Sequence, residues 1–137
     1  MPRMEWPHVS DRPVVKVEFQ SAATGDRVER TLLADSGAGE RGDNFDLILT
    51  TVDCIEFGGI LMELTALGGA YSGEFPVYFL PAWIPGIGFS DFVRVVGAPI
   101  TLGSMDGFAC FPFLNQFTYG NFGSPDSFGL EFDPTAA

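Results

Sequence analysis

Hydrophobic and polar residues alternate with a period of two near the start of the chain. Val15, Val17 and Phe19 are separated by Lys16 and Glu18, the pattern of a strand with one buried and one wet face. Thr24-Gly25-Asp26 predicts a turn, and Val28 to Asp35 a second strand that pairs back as a hairpin. Its end, Leu32-Leu33-Ala34, is apolar at successive positions, which predicts burial on both faces. Phe45 to Leu49 reads as a further strand, with Cys54 to Phe57 as its continuation. Phe75 to Leu80 alternates around Pro76, which suits an edge strand or the start of one. Val93 to Val96 is a clear strand, and Phe128 to Phe132 a last short one, preceded by a loop from Tyr119 to Pro125. Pro112 is placed as the first residue of a short helix with Phe113, Leu114 and Phe117 on its inner face.

Residues 1–12 carry charges, Pro2 and Pro7 without periodicity and are expected to form a flexible arm. No long repeat and no linker interrupts the remainder of the chain. The expectation is one all-β domain over residues 13–133, with 134–137 as a tail. Composition agrees: 14 Phe, 17 Gly and 10 Pro in 137 residues point to short strands and many turns. A hydrophobic share of 46% against 18% charged supports a packed core.

Charge narrows the partners. Eighteen acidic and seven basic residues give a net charge of -11, which repels a nucleic-acid backbone or an anionic membrane surface. Solubility is the plainer meaning of such acidity. The greasiest segment, Phe75 to Phe89, contains Pro76, Pro81 and Pro85 and is too short to span a bilayer as a helix. No basic start followed by an apolar stretch marks a signal peptide, so a cytoplasmic location is expected. Two cysteines, Cys54 and Cys110, and one histidine, His8, fit no zinc spacing and no His-dependent nucleophile. Neither metal nor cofactor is expected, and catalysis, if any, falls to carboxylates.

Asp35 is the carboxylate to explain. It follows the most apolar part of its strand and precedes Ser36-Gly37-Ala38-Gly39. A carboxylate at such a position needs hydrogen bonds or a function, because burying it unpaired is costly. Asp-Ser-Gly is also an ordinary turn. The same loop, Gly37-Ala38-Gly39-Glu40-Arg41-Gly42, spells a dinucleotide fingerprint. That fingerprint requires a helix opening inside the glycines, whereas Asp43-Asn44-Phe45-Asp46 is a poor helix start, and a phosphate would clash with Asp35.

The run LLADSGAG, Leu32 to Gly39, resembles the active-site loop of aspartic proteases. A second block, Asp106-Gly107-Phe108-Ala109-Cys110-Phe111-Pro112-Phe113-Leu114-Asn115-Gln116-Phe117, is similar to the late segment of retropepsin-like, retroviral-type aspartic proteases. The tail Phe117 to Gly123 looks like a small bacterial branch of that family. The two blocks cover about 20 residues. Cys110 stands where the family has glycine, Ala109 where it has a second aliphatic residue, and Ser36 where threonine is commoner.

The resemblance implies a closed β-barrel or sandwich with one short C-terminal helix and one lobe per chain. It implies an aspartic endopeptidase in which Asp35 from each chain of a homodimer activates water. Ser36, Gly37 and Ala38 would support the loop, and Asp106, Gly107 and Cys110 would pack against it. A flap over the polypeptide substrate is expected at Gly68, Gly69 and Tyr71, with Phe57-Gly58-Gly59-Ile60 as the competing segment. The final strand would join an intersubunit sheet. Asp106 could instead partner Asp35 within one chain. The aromatic cluster of Phe108, Phe111, Phe113, Phe117, Tyr119 and Phe122 is expected to be core or dimer interface. Two other functions stay open: a non-catalytic dimeric peptide- or protein-binding domain on the same fold, and an unrelated small barrel in which Asp35 only shapes a turn.

Overall fold

The structure is a computed structural model, and residues 2–40, 42–67, 73–101 and 103–133 are described. Among the described residues, ten strands and two short α-helices run in the order β1 (Arg3–Pro7), β2 (Val14–Gln20), β3 (Arg27–Ala34), β4 (Leu47–Leu49), α1 (Thr51–Glu56), β5 (Ile60–Leu67), β6 (Gly73–Ile84), β7 (Phe89–Gly97), β8 (Gly107–Ala109), α2 (Phe111–Leu114), β9 (Thr118–Gly120) and β10 (Ser127–Glu131), with a single 3-10 turn at Pro85–Ile87 between β6 and β7. Seven strands pair in the order β2-β3-β8-β4-β7-β6-β5, and a contact between β2 and β6 at Glu18 and Trp83 closes six of them into a barrel. Strand β5 remains outside this ring and, among the described residues, pairs with β6 alone. The protein is therefore all-β, with a closed six-stranded barrel.

Alternation decides what the barrel encloses. Val15, Val17 and Phe19 of β2 are fully buried, while Lys16 and Glu18 between them are half-buried. Leu47 and Val95 join the main core, but their chain neighbours Ile48 and Val96 join a second, smaller cluster with Phe45, Val77, Ala98 and Cys110. Successive residues of a strand face opposite ways, so the middle of the sheet is buried on both faces. The parallel pairings of β3 with β8 and of β4 with β7 lie there, where burial on both faces is the rule. The second cluster faces the loop that carries Asp35.

The first twelve residues are not a free arm. β1 pairs with β10 from Arg3–Glu131 to Pro7–Ser127, and Trp6 is 5% exposed within the main core. One buried tryptophan and a full ladder outweigh the polar composition of the segment. β10 is the middle strand of a separate sheet, β1-β10-β9. β1 pairs along its whole length on one side, and β9 pairs with Gly129 to Glu131 on the other. Tyr119 and Gly120, expected in a loop, belong to β9.

Residues Cys54 to Phe57, expected as strand, are the helix α1 and its C-terminal cap. The Thr50 hydroxyl accepts from the Asp53 N–H at 3.1 Å, an N-cap. At the other end Gly58 adopts φ +69 and donates to the Ile55 carbonyl, and Gly59 donates to the Cys54 carbonyl. That pair of bonds is a Schellman stop, so the Phe57-Gly58-Gly59-Ile60 segment is a helix end and no hairpin tip. The strand expected at Phe75 to Leu80 runs longer and has a neighbour on each side, β5 and β7. Its Pro81 falls in the gap between Phe79, the last partner of β5, and Trp83, which meets β2. Pro112 is the second residue of α2 rather than its first, and Phe113 and Leu114 are buried.

Among the described residues, no helix is long and apolar enough to cross a membrane.

Candidate active site

Asp35 is the first residue beyond β3. The ladder still holds it: its N–H donates to the Ala109 carbonyl at 2.9 Å, continuing the parallel register that pairs Ala34 with Ala109. The chain then turns sharply. The Asp35 carbonyl accepts from the Ala38 N–H at 3.1 Å, and the carboxylate Oδ1 accepts from the Gly37 N–H at 3.1 Å. A Cβ at Gly37 would lie in ordinary contact with that oxygen, 3.4 Å away. Gly39 has φ +81, and a Cβ there would lie 3.3 Å from both Asp43 Oδ2 and Pro112 Cδ. The Ala38 carbonyl accepts from the Phe111 N–H at 2.8 Å, which ties the loop to the start of α2. Asp35 is half-buried, while Ser36 and Gly37 are exposed.

Beneath the loop, Cys110 is fully buried and its N–H donates to the Asp46 carbonyl at 3.0 Å. Burial, and next the negative charge of Asp35, push the Cys110 thiol well above its usual range, so it stays protonated and inert. Its backbone, at φ -89, needs no glycine, and a small apolar side chain fits the space. Cys54, also free and buried, is pushed up to about 12 by burial.

Gly107 lies on β8, squeezed between Leu32 of β3 and Leu49 of β4. A Cβ would collide with the Ile48 carbonyl oxygen, so the close approach of these strands requires glycine. Asp106 sits at the far end of the same pairing. Its N–H donates to the Thr31 carbonyl at 2.8 Å, and its carboxylate accepts from the Thr31 N–H at 2.8 Å. Thr31 precedes Asp35 by four residues of strand, roughly 13 Å along the chain. Asp106 is thus no partner for Asp35 within the chain, and it does not pack on the loop directly; it reaches the loop only by fixing β8.

The carboxylate opens into a cleft of about 380 Å³. Asp35, Gly37, Ala38 and Gly39 form one side, and Thr65, Ala66 and Leu67 at the end of β5 form the other. Ile48, Phe108, Phe45 and Asp43 line the space between them. The apolar lining arises from register: Phe108 lies directly opposite Ile48 in the antiparallel β4–β8 pair, and both belong to or pack on the second apolar cluster. Beyond Leu67 and Gly73, which pair with each other, the flap residues Gly68, Gly69 and Tyr71 lie outside the described residues.

The aromatic cluster divides. Phe113 and Phe117 pack with Phe89 and Phe132 at ring-centre distances of 5.1 to 5.6 Å, deep in the core, whereas Phe108 faces the cleft. Residues 37–40 and 42–46 contain no helix, which removes the dinucleotide alternative.

Sequence reasoning missed Asp43, Phe45, Ile48, Phe108 and Thr65 as cleft residues. The polar run Asp43-Asn44 directly after a glycine loop, and a phenylalanine two residues after Asp106, were the available signals. A carboxylate fixed by a backbone donor in a cleft of mixed polar and apolar lining can hold a water or a proton against an extended chain. Comparison of the chain with family models, with curated proteins and with solved structures found no match in any of the three.

Proposed function

We propose that the protein is an aspartic endopeptidase in which two copies of the chain each contribute Asp35. The observation that carries this reading is the position of Asp35. Its backbone is anchored on the Ala109 carbonyl, and its carboxylate is held by the Gly37 N–H and open to a cleft walled by the end of β5. Asp43 also lines the cleft, but its Oδ2 accepts from the Glu40 N–H, and Asp106 is too far away to be the second carboxylate. Water attack on an amide needs two carboxylates sharing a proton. The exposed Ser36 and Gly37 offer the surface on which a second copy would complete the pair about a two-fold axis.

In the proposed reaction, one Asp35 is ionised and its counterpart protonated. The ionised carboxylate takes a proton from water as the oxygen adds to the scissile carbonyl carbon. The protonated carboxyl gives its proton to the carbonyl oxygen, leaving a gem-diol. The diol then collapses, the C–N bond breaks, and a proton passes to the leaving nitrogen. The substrate would lie extended against β5, bound as an added strand, with apolar side chains on Ile48 and Phe108.

The test is cleavage of an unfolded protein and a mixed peptide pool from about pH 3 to 7, where shared carboxyl pairs titrate. Asp35→Asn should lower cleavage by about a thousandfold or more while leaving circular dichroism and sedimentation unchanged. Undiminished cleavage by the variant would sink the proposal. A folded dimer that binds peptide without cleaving it would establish the non-catalytic binding domain, and a folded monomer would leave Asp35 as a turn residue.

A further inference from the structure

We infer that Arg94 on β7 is a positioning residue for the substrate wall of the cleft, an assignment that rests on the endopeptidase reading. Its guanidinium grips Asp46 with two prongs, Nε to Oδ2 at 3.3 Å and Nη2 to Oδ1 at 3.2 Å. Its third prong, Nη1, donates to the Asp43 carbonyl at 3.1 Å. The backbones are locked as well: the Arg94 N–H donates to Asp46 Oδ2 at 2.9 Å, and the Asp46 N–H to the Arg94 carbonyl at 2.7 Å. The Asp46 side chain is 11% exposed and the Arg94 side chain 41%, so the carboxylate end of the pair is shielded from water while the guanidinium reaches it from the surface. It is a planar fork matched to a shielded carboxylate, a geometry that lysine does not reproduce.

The fork holds the segment between the Asp35 loop and β4. Asp43 and Phe45 of that segment line the cleft. Asp43 Oδ2 in turn accepts from the Glu40 N–H at 2.6 Å, and Asn44 Oδ1 accepts from the Thr65 hydroxyl at 2.9 Å. Thr65 belongs to the opposite wall. One arginine therefore sets the place of the segment between the two walls directly and tethers the β5 wall through Asn44. The Asp35 N–H hangs from the Ala109 carbonyl on β8, and the fork reaches it only at second hand, through the Asp46 carbonyl that accepts from the Cys110 N–H. Loss of the fork should misplace bound peptide more than it disturbs the reacting carboxylate.

The measurement is a split of KM from kcat on a fluorogenic peptide taken from the pool that the wild-type protein cleaves. Arg94→Gln should raise KM about tenfold with kcat within about twofold, the signature of lost binding common to ground and transition states. Arg94→Lys should fall between wild type and Arg94→Gln. Asn44→Ala, which cuts only the tether to Thr65, should raise KM by a smaller factor and keeps the inference testable if Arg94→Gln does not fold. A purely structural role predicts a lower melting temperature with KM unchanged; that result in Arg94→Lys and Asn44→Ala would overturn the inference alone. A wild-type protein that cleaves nothing would overturn both it and the endopeptidase reading.

Discussion

On one side of the cleft, Asp35 hangs from β3, which has β2 and β8 as neighbours, and β8 in turn is flanked by β3 and β4. On the other side, Thr65, Ala66 and Leu67 belong to β5, which among the described residues pairs only with β6 and whose Ile60, Leu61, Met62 and Leu64 are 59 to 62% exposed. The first wall is fixed by ladders, a buried glycine contact and the Asp106 clasp on Thr31. The second has one ladder and, on its outer side, the Thr65–Asn44 bond. Chemistry that depends on sub-ångström placement is best served by the first kind of wall. A wall that must open for a polypeptide is drawn from the less stable parts of a fold. The two sides of this cleft differ in that sense.

The contrast can be broken most forcefully at Gly107. Gly107→Ala would drive a methyl group into the Ile48 carbonyl and push β8 away from β4. Overpacking in a close-packed interior costs up to about 3 kcal/mol, and here the displaced strand carries the Ala109 carbonyl that anchors Asp35. Thermal unfolding should show the loss of stability, and the proposed cleavage should fall as well. A variant with wild-type stability would mean that the strands around Asp35 are looser than their spacing implies.

A smaller effect lies beneath the same loop and is reached by alkali. Burial raises the Cys54 thiol from 9.0 to about 12, and the Cys110 thiol is raised too, with Asp35 adding to the burial. An unfolded chain releases these protons near pH 8.5, while the folded chain keeps them. The unfolded state therefore binds fewer protons in that range, and stability must fall as pH rises. The contribution is whole below about pH 8.5 and declines toward pH 12. Urea denaturation at successive pH values should show the decline, and Cys110→Ala should flatten it. A thiol reagent should label neither cysteine at neutral pH until the protein unfolds; rapid labelling of Cys110 would show that the floor of the loop opens.

How much of this was legible in the sequence depends on the range of the contacts involved. The β2–β3 hairpin and the apolar strand end before Asp35 could be read because their signals are local: alternation, a Thr-Gly-Asp turn, and a carboxylate next to small residues. Helix α1 was hidden because Cys54-Ile55-Glu56-Phe57 resembles a strand by composition. Its cap, Thr50 to Asp53, and its stop at Gly58 are equally local and outweighed it. β1 was hidden because Trp6 becomes buried only when β10, more than 100 residues later, lies beside it. The wall of the cleft was the least legible part. Asp46 and Arg94 are 48 positions apart, and nothing in either neighbourhood announces the other. Their meeting depends on the parallel β4–β7 pair, a non-local contact that alternation cannot specify.

The smallest effect expected is on the outer wall itself. Replacing Leu61 or Leu64 with threonine removes side chains that are already about 60% exposed, so the change in stability should stay within about 0.5 kcal/mol. Threonine suits a strand, which leaves the β5–β6 ladder intact. Hydrogen exchange then sharpens the comparison without perturbing the walls: backbone amides of β5 should exchange faster than those of β3 and β8 in the wild-type protein, because one open edge suffices to release them. The two substitutions should leave that ranking unchanged. Protection of β5 equal to that of β3 would mean that the outer wall is as firmly held as the inner one. The opening that the proposed polypeptide substrate requires would then have to come from somewhere other than β5.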